Sequence, residues 1–260
     1  MLTGVKFGKI YIPIKELSFM RLVLTLEAEN FLPYSRINKH TIQGMIYSYL
    51  QGDDFSGLHA EKGFKFFTFS DLFPSNDFHP GKEKTLLISS PNPKFIRTIY
   101  ENLKSVQHLY LSNGSFKVSS IKKVQVPLSK EFVTGSPIVL YEDTGRNRYF
   151  SFRRGGSLEF FLDRVKENAL KKYNAYYDDE LYFEGPIFDE VVFNKEVAVR
   201  IARGGTEFLI IGSMWYNLRR MRIEKGLKKF FNFIKDCGLG EKNSLGFGFL
   251  NPRNNAIEGV

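Results

Sequence analysis

The chain has 260 residues, and its 37 Lys and Arg against 28 Asp and Glu give a formal net charge of +9. Apolar residues make up 43% of it, enough to bury a core, which excludes disorder over most of its length. The single cysteine, Cys237, excludes a disulfide scaffold and a cysteine-based zinc site. No apolar run approaches the roughly 20 residues of a membrane span, and no secretory signal is visible, so a folded cytoplasmic protein without a membrane partner is expected.

Positive charge combined with aromatic side chains is typical of proteins that bind single-stranded nucleic acid. The chain contains 26 Phe and 13 Tyr. Unpaired bases stack on aromatic rings, and Lys and Arg neutralise phosphates. Solubility also accounts for such a charge in many proteins, and most of the phenylalanines are expected in the core. Composition by itself therefore leaves the function open.

The first half of the chain predicts the order strand, helix, strand, strand, helix, strand. Ser35 is the expected N-cap of the first helix, and Pro93 opens the second. This order is that of a ferredoxin-like unit. Hydrophobic periodicity and β-branched runs place the strands at 19–27, 65–69, 85–89 and 115–126, and the helices at 36–51 and over about a dozen residues from Pro93.

The second half repeats this order, although its sequence does not repeat. The predicted fold class is therefore α+β, with two tandem ferredoxin-like (RRM-like) domains and a C-terminal Gly-rich loop. We place the boundary near 120–127, which gives one domain of residues 1–122 and another of residues 123–260. The pattern places strands at 137–141, 180–193, 197–203, 207–215 and about 247–250, and helices at 157–174 and 218–237.

The segment 238–249, with four glycines, is the most unusual stretch of the chain. Its backbone must turn sharply or approach a partner closely. It lacks the Gly-Lys-Ser/Thr of a phosphate-binding P-loop, and it follows a helix, which excludes a dinucleotide fingerprint. A helix C-cap followed by a tight turn is the alternative explanation. The predicted basic helix before it carries an excess of cations, namely Arg219, Arg220, Arg222, Lys225, Lys228 and Lys229.

Two further segments stand out. Residues 58–70 (LHAEKGFKFFTFS) bring His59, Lys62 and Lys65 together with four phenylalanines. In the predicted first helix, His40 and Tyr47 are seven residues apart and therefore share a face.

Together these segments resemble the motifs of the CRISPR-associated endoribonucleases that cut repeat RNA, the sixth Cas family within the RAMP superfamily. The specific motif is Leu-His-x-x-Lys-Gly-x-Lys-x-Phe-Thr-Phe-Ser, which begins at Leu58. The second is Gly-x-Gly-x-Lys-Asn-Ser-Leu-Gly-Phe-Gly, which begins at Gly238 and is shared by other RAMP proteins. The motifs lie towards both ends, so the resemblance covers essentially the whole chain.

The resemblance implies cleavage of a precursor CRISPR transcript within each repeat, without a metal ion or other cofactor. It implies an active-site set of Tyr47, His59 and Lys65, in which the tyrosine ends the stretch Ile-Gln-Gly-Met-Ile-Tyr of the first helix. Other branches of the family use a histidine within that helix, so His40 is the alternative.

The chemistry requires the same residue types. When a 2′-hydroxyl attacks the adjacent phosphorus, the products are a 2′,3′-cyclic phosphate and a 5′-hydroxyl. One group must take the 2′ proton, another must protonate the leaving oxygen, and a third must stabilise negative charge. The imidazole of His59 suits either proton transfer near neutral pH, Lys65 suits the charge, and Tyr47 ranks third. The division of acid and base between His59 and Tyr47 stays open.

RNA binding is expected from other residues. His79 and His108 are expected to be structural, and Cys237 is expected to be a small core residue. No metal-ligand spacing is visible. The expected phosphate contacts are Gly240, Lys242, Asn243, Ser244, Gly246, Gly248, Arg219, Arg220, Arg222 and Lys225, with Arg153 and Arg154 as a second patch.

Three other functions are compatible with parts of this pattern. The protein could hold repeat RNA without cutting it, or be a RAMP-type structural subunit of a CRISPR effector complex, or be a metal-dependent nuclease. The complete set of Tyr47, His59 and Lys65 favours the endoribonuclease. The expected partner is precursor CRISPR RNA, and an effector complex and a homodimer are further options that the resemblance leaves open.

Overall fold

The computed structural model describes residues 20–51, 55, 57, 58, 60, 62–203 and 206–253. Their hydrophobic side chains form one core cluster in each half of the chain and a smaller third one in the second half. Among these residues, no helix combines the length and the apolar character needed to cross a membrane.

A five-stranded antiparallel sheet forms the first half, with its strands in the order β2-β3-β1-β5-β4. Alternate residues of β1 are buried against two helices, because side chains along a strand alternate between its faces. These elements are β1 (Met20–Ala28), α1 (Lys39–Ser48), β2 (Thr68–Phe69), β3 (Glu83–Ser89), α2 (Pro93–Leu103), β4 (His108–Leu111) and β5 (Gly114–Gln125).

The second half has the same order of elements around a four-stranded sheet, β11-β6-β10-β9, beside a small β7-β8 ribbon. Two tandem ferredoxin-like units are thus confirmed. Their elements are β6 (Glu131–Thr134), β7 (Tyr141–Asp143), β8 (Arg148–Tyr149), α3 (Leu158–Tyr177), β9 (Glu190–Arg203), β10 (Thr206–Arg219), α4 (Lys228–Cys237) and β11 (Leu250–Pro252). The domain boundary between residues 122 and 123 stays a prediction.

The first helix starts later than the sequence predicts. Ser35 lies in a short 3₁₀ turn, and the N-cap of α1 is Asn38. The Asn38 side chain accepts hydrogen bonds from the backbone N–H groups of His40 and Thr41, which satisfies two donors that a helix start leaves unpaired. The predicted start at residue 36 is therefore wrong by three residues.

The predicted basic helix over 218–237 is wrong in its first half. Strand β10 runs to Arg219, and α4 begins only at Lys228. Between them, the backbone N–H of Arg220 donates to the carbonyl of Lys130, and that of Met221 donates to Asp189. Tertiary partners thus take up donors that a helix would have used.

Four smaller differences concern strands. The sequence analysis missed β4 and β6, because each has only four residues. The predicted strand at 137–141 makes only isolated bridges at residues 138 and 139 before β7 begins. Strand β9 is continuous from residue 190, so 180–189 is not a strand. The last strand begins at residue 250 rather than 247, after the Gly-rich segment.

Candidate functional site

Tyr47 lies on the half-buried face of α1 and touches the segment that carries Lys65. Its ring meets the ring of Phe67 edge-on, with 5.8 Å between centroids. Phe67 is fully buried and stacks on Phe95 of α2 at 4.8 Å. Lys65 is half-buried and lies two residues before Phe67. The contact between Tyr47 and Phe67 therefore brings α1 next to the segment that carries Lys65. His59 lies outside the described residues.

His40 is oriented by Gln43, one helical turn further along α1. The Gln43 side-chain nitrogen donates to the carbonyl of Ser244 at 2.9 Å, which turns its oxygen towards His40. That oxygen is 3.3 Å from Nδ1 of His40. A hydrogen bond at this distance requires a proton on Nδ1, so Nε2 of a neutral imidazole is the proton acceptor. Sequence reasoning missed Gln43, because its partner Ser244 is far away in the chain.

The segment 238–249 is wedged between the two halves of the protein. From the first half, Nζ of Lys39 donates to the carbonyl of Gly246 at 2.6 Å and pairs with Asp71 at 2.5 Å. Also from that half, the Thr68 hydroxyl donates to the carbonyl of Phe247 at 2.9 Å. These bonds tie the segment to the N-terminus of α1 and to β2.

From the second half, the buried side chain of Lys172 in α3 holds the same segment. Its Nζ donates to the carbonyls of Gly238 and Gly240 at 2.7 and 3.0 Å, and to the Asn243 side chain at 2.6 Å. The Asn243 amide in turn donates to the carbonyls of Leu239 and Phe247. The segment is therefore a folded part of the domain interface.

Close contact with protein explains the glycines of this segment. Gly240, Gly246 and Gly248 have φ angles of +69°, +80° and +69°. An added Cβ would lie 2.4 Å from a backbone oxygen at Gly240, 2.2 Å from the Phe69 ring at Gly246 and 1.8 Å from a backbone oxygen at Gly248. These glycines and Asn243 are buried against protein, and their expected contact with RNA stays a prediction. Lys242 and Ser244 are half-buried, and the RNA-binding prediction is carried forward on them.

Two of the four predicted cations at 219–225 are neutralised within the protein. Arg219 pairs with Glu131 at 2.9 Å and with Glu190 at 3.0 Å. Arg220 pairs with Asp189 at 3.3 Å and donates to the carbonyl of Pro186 at 2.7 Å. Their guanidinium groups thus already have acceptors.

Four other predicted cations are exposed, in two places. Arg222 and Lys225 lie in the connection between β10 and α4. Arg153 and Arg154 are exposed on a 3₁₀ turn, and Arg154 donates to the carbonyl of Tyr149. A polyanion can therefore reach these three arginines and one lysine.

The remaining candidates of the sequence analysis are engaged elsewhere. The His79 ring contacts the Phe31 ring at 5.3 Å, and Nδ1 of His108 lies 3.1 Å from Glu29. Cys237 is buried, and burial raises the pKa of its thiol to about 11, which keeps it protonated. Within the described ranges, no three His, Cys, Asp or Glu side chains form a metal-binding group.

Relatives of known sequence match nearly the whole chain. A curated relative, the CRISPR-associated endoribonuclease Cas6 2 of Methanocaldococcus jannaschii, is 48% identical over 239 residues, which cover 90% of this chain and 99% of the relative. The CRISPR-associated endoribonuclease Cas6 of Haloferax mediterranei is 25% identical, and the match covers 89% of this chain and 93% of that protein.

Solved structures share the fold. A structure described as "CRISPR associated protein Cas6" matches with a TM-score of 0.65 and 25% identity, over 90% of this chain and 99% of that one. Another, described as "An RAMP protein binding different RNA substrates", has a TM-score of 0.65 and 22% identity, over 90% of this chain and all of that one.

The family model "CRISPR associated protein Cas6, C-terminal" matches residues 122–252, half of the chain. Since that match is joined by the M. jannaschii relative, 48% identical over 90% of the chain, the protein belongs to the Cas6 family of CRISPR-associated proteins.

Proposed function

We propose that this protein is an endoribonuclease that cuts precursor CRISPR RNA within its repeats, and that Tyr47, His59 and Lys65 carry the reaction without a metal ion. The observation that carries the assignment to these residues is the edge-on contact of Tyr47 with Phe67. It joins two parts of the family motif set that are about twenty residues apart in the chain. The printed names of the M. jannaschii and H. mediterranei relatives support the activity.

The reaction makes one bond to phosphorus and breaks another. The 2′-oxygen attacks the adjacent phosphorus, a base takes the 2′ proton, and the P–O5′ bond breaks as an acid protonates O5′. The products are a 2′,3′-cyclic phosphate and a 5′-hydroxyl. The Lys65 ammonium stabilises the charge that builds up on the phosphoryl oxygens, and His59 and Tyr47 serve the two proton transfers.

His40 is the second candidate for proton transfer, because Gln43 fixes its ring. With Nδ1 bonded to the Gln43 oxygen, Nε2 is the atom that would accept the 2′ proton. This assignment uses the same helix face as Tyr47 but none of the residues at 59–65.

Cleavage of labelled repeat RNA in EDTA distinguishes these assignments. A copy with a single 2′-deoxy sugar at the cut should stay intact, because the nucleophile is missing. One discrete cut that is lost in His59→Ala, strongly slowed in Lys65→Ala and kept in His40→Ala is the expected result. Loss in His40→Ala alone would move the active site along α1. Tight binding without a cut in any lane, the 2′-deoxy control included, would identify a protein that only binds RNA.

We assign RNA binding to the exposed or half-buried members of the predicted set other than Arg219 and Arg220, whose guanidinium groups pair with carboxylates. These members are Lys242, Ser244, Arg222, Lys225, Arg153 and Arg154. Each phosphate neutralised by a cation contributes a log–log salt slope of about −0.7 on single-stranded RNA.

Titrations of a 2′-deoxy repeat RNA at several salt concentrations test this assignment. Arg222→Ala should make the slope less steep by about 0.7. The matched control is Arg219→Ala three residues away, whose guanidinium already pairs with Glu131 and Glu190. Equal slopes for Arg222→Ala and the parent protein would exclude Arg222 from the RNA contact.

Two statements about assembly stay predictions from the resemblance. These are delivery of the cleaved RNA to a CRISPR effector complex, and formation of a homodimer. Light scattering of the protein with and without repeat RNA measures the second directly.

A further inference from the structure

We propose that Phe66 is a positioning residue, through which the second half of the protein fixes the place of Lys65. The proposal rests on the role given above to Lys65. It starts from the backbone of Phe66, which occupies an unspecified position of the family motif.

The backbone of Phe66 has a φ of +49°, in the left-handed region. A bulky side chain rarely adopts this conformation, since its Cβ crowds the backbone. Among the described residues other than glycine, the only others with positive φ are Ser112, Asn147, Asp178 and Lys242, all of them polar. A conformation with an intrinsic cost persists only where surrounding contacts outweigh that cost, and such positions concentrate at functional sites.

The contacts that hold Phe66 come from both halves. Its ring packs against Tyr176 of α3 at 5.0 Å and against Phe233 of α4 at 6.4 Å. Its carbonyl accepts a hydrogen bond of 2.8 Å from the hydroxyl of Ser90, at the end of β3. The ring is therefore anchored in the second half of the protein, and the backbone is anchored in the first.

Phe67 is anchored in the opposite direction. Its ring is buried in the first core, between Phe95 and Tyr47. Two successive aromatic rings thus point into two different domains. The left-handed turn at Phe66 is the backbone conformation that accompanies this arrangement, and it sets the direction in which the chain arrives from Lys65.

The consequence concerns the reacting phosphate. A charge that stabilises a transition state acts only over a short distance, and a displacement of about 1 Å costs a reaction up to 100-fold. If the Phe66 ring lost its contacts with Tyr176 and Phe233, the backbone would relax and the Lys65 ammonium would move. RNA held by other residues would still bind.

The test is single-turnover cleavage of repeat RNA in EDTA, with RNA affinity measured in parallel. Phe66→Leu should slow cleavage about 10- to 100-fold and change the Kd for RNA less than threefold. Tyr176→Leu removes a ring against which Phe66 packs and leaves Phe66 itself unchanged, and it should also slow cleavage. The matched control is Phe161→Leu in the same helix, whose ring packs against Phe150 and Trp215 and not, among the described contacts, against Phe66, Tyr176 or Phe233.

A double-mutant cycle separates positioning from a general loss of stability. If Phe66 acts through Lys65, the variant with both Phe66→Leu and Lys65→Ala should be as slow as Lys65→Ala alone. Multiplied losses would overturn the proposal, as would equal slowing by Phe161→Leu. If Phe66→Leu unfolds, by circular dichroism, Tyr176→Leu takes its place in the cycle.

The same experiment keeps the two levels of inference apart. Slow cleavage by Lys65→Ala together with unchanged cleavage by Phe66→Leu and Tyr176→Leu would overturn the positioning role alone. Parent-like cleavage by Lys65→Ala would overturn the catalytic role of Lys65, and the role of Phe66 with it.

Discussion

Lys172 shows how one buried side chain determines the shape of the Gly-rich segment. Lys172 is 2% exposed, and its ammonium group has three oxygen acceptors, all in residues 238–243. Burial lowers the pKa of Lys172, because the charged form loses its hydration, while the nearby carboxylate of Glu241 favours that form. Three hydrogen bonds of 2.6–3.0 Å replace the water that an exposed lysine would bind.

Lys172→Met should lower the free energy of unfolding by about 2–5 kcal/mol. Methionine fills similar space but leaves three buried oxygens without a donor. Urea denaturation measures the change. The matched control is Lys171→Met, since Lys171 is exposed and pairs with Glu167 on the surface, and a change within about 0.5 kcal/mol is expected there. A loss for Lys172→Met as small as that for Lys171→Met would show that the three oxygens find other donors.

The sequence names some residues that the fold brings together and hides others. The family motif names Tyr47 and Lys65 as candidate site residues, and that role stays a prediction. Lys172 was missed, although it falls on the buried stripe of α3 with Phe161 and Val165. A lysine is assigned to the surface by default, and its acceptors lie more than 60 residues further along the chain. Only the fold brings them together.

Helix α1 supplies both Tyr47 and His40, and it contains a glycine in its middle. Gly44 is exposed and helical, and among the described residues no atom lies within 4 Å of the position of an added Cβ. Glycine loses more conformational freedom than alanine on entering a helix. No close contact within the described residues requires a glycine at this position.

Gly44→Ala should therefore raise the free energy of unfolding by about 0.5–1 kcal/mol. Thermal unfolding measures it as a higher Tm. The contrast is Gly246→Ala, which should lower the Tm, since the backbone has a φ of +80° and a Cβ would lie 2.2 Å from the Phe69 ring. A lower Tm for Gly44→Ala would mean that the added methyl group meets residues outside the described ranges.

Elements with a clear pattern were predicted well, and elements shaped by distant partners were not. Strand β1 and helix α2 were placed within one or two residues, because alternation and Pro93 mark them locally. The helix predicted over 218–237 is absent where the backbone N–H of Met221 donates a hydrogen bond to Asp189, about thirty residues earlier in the chain. A local pattern carries no information about such a partner.

At the scale of the whole molecule, the two units are joined by a buried group of charges. Asp236 at the end of α4 lies 3.6 Å from the Arg21 guanidinium of β1, and 3.6 Å from Nζ of Lys235. The Ser89 hydroxyl of β3 is 3.3 Å from the same carboxylate. The order of elements predicted two units, but not that Arg21, on a strand whose other buried residues are apolar, would face the second unit.

The buried charges around Asp236 predict how the stability of the protein depends on pH. Burial raises the pKa of Asp236 to about 6, and the cations Lys235 and Arg21 only partly oppose the shift. The folded protein therefore binds a proton at Asp236 between about pH 4 and 6, where the unfolded chain, with an ordinary aspartate pKa, has released it. A raised carboxylate pKa means stability that is present at low pH and lost as pH rises through 6.

The free energy of unfolding of the parent protein, minus that of Asp236→Asn, should accordingly fall by about 2 kcal/mol between pH 4 and pH 7. Subtraction removes the exposed carboxylates of Glu29, Glu101 and Glu167, whose lowered pKa values act in the opposite direction in both proteins. Urea unfolding at pH 4, 5, 6 and 7 gives the four differences. A constant difference would show that Arg21 and Lys235 keep Asp236 ionised, and a rising one would show that they lower its pKa. The predicted fall requires that burial raises the pKa of Asp236 by more than its two neighbouring cations lower it. The contact between the two units around Asp236 is then more stable in mild acid than at neutral pH.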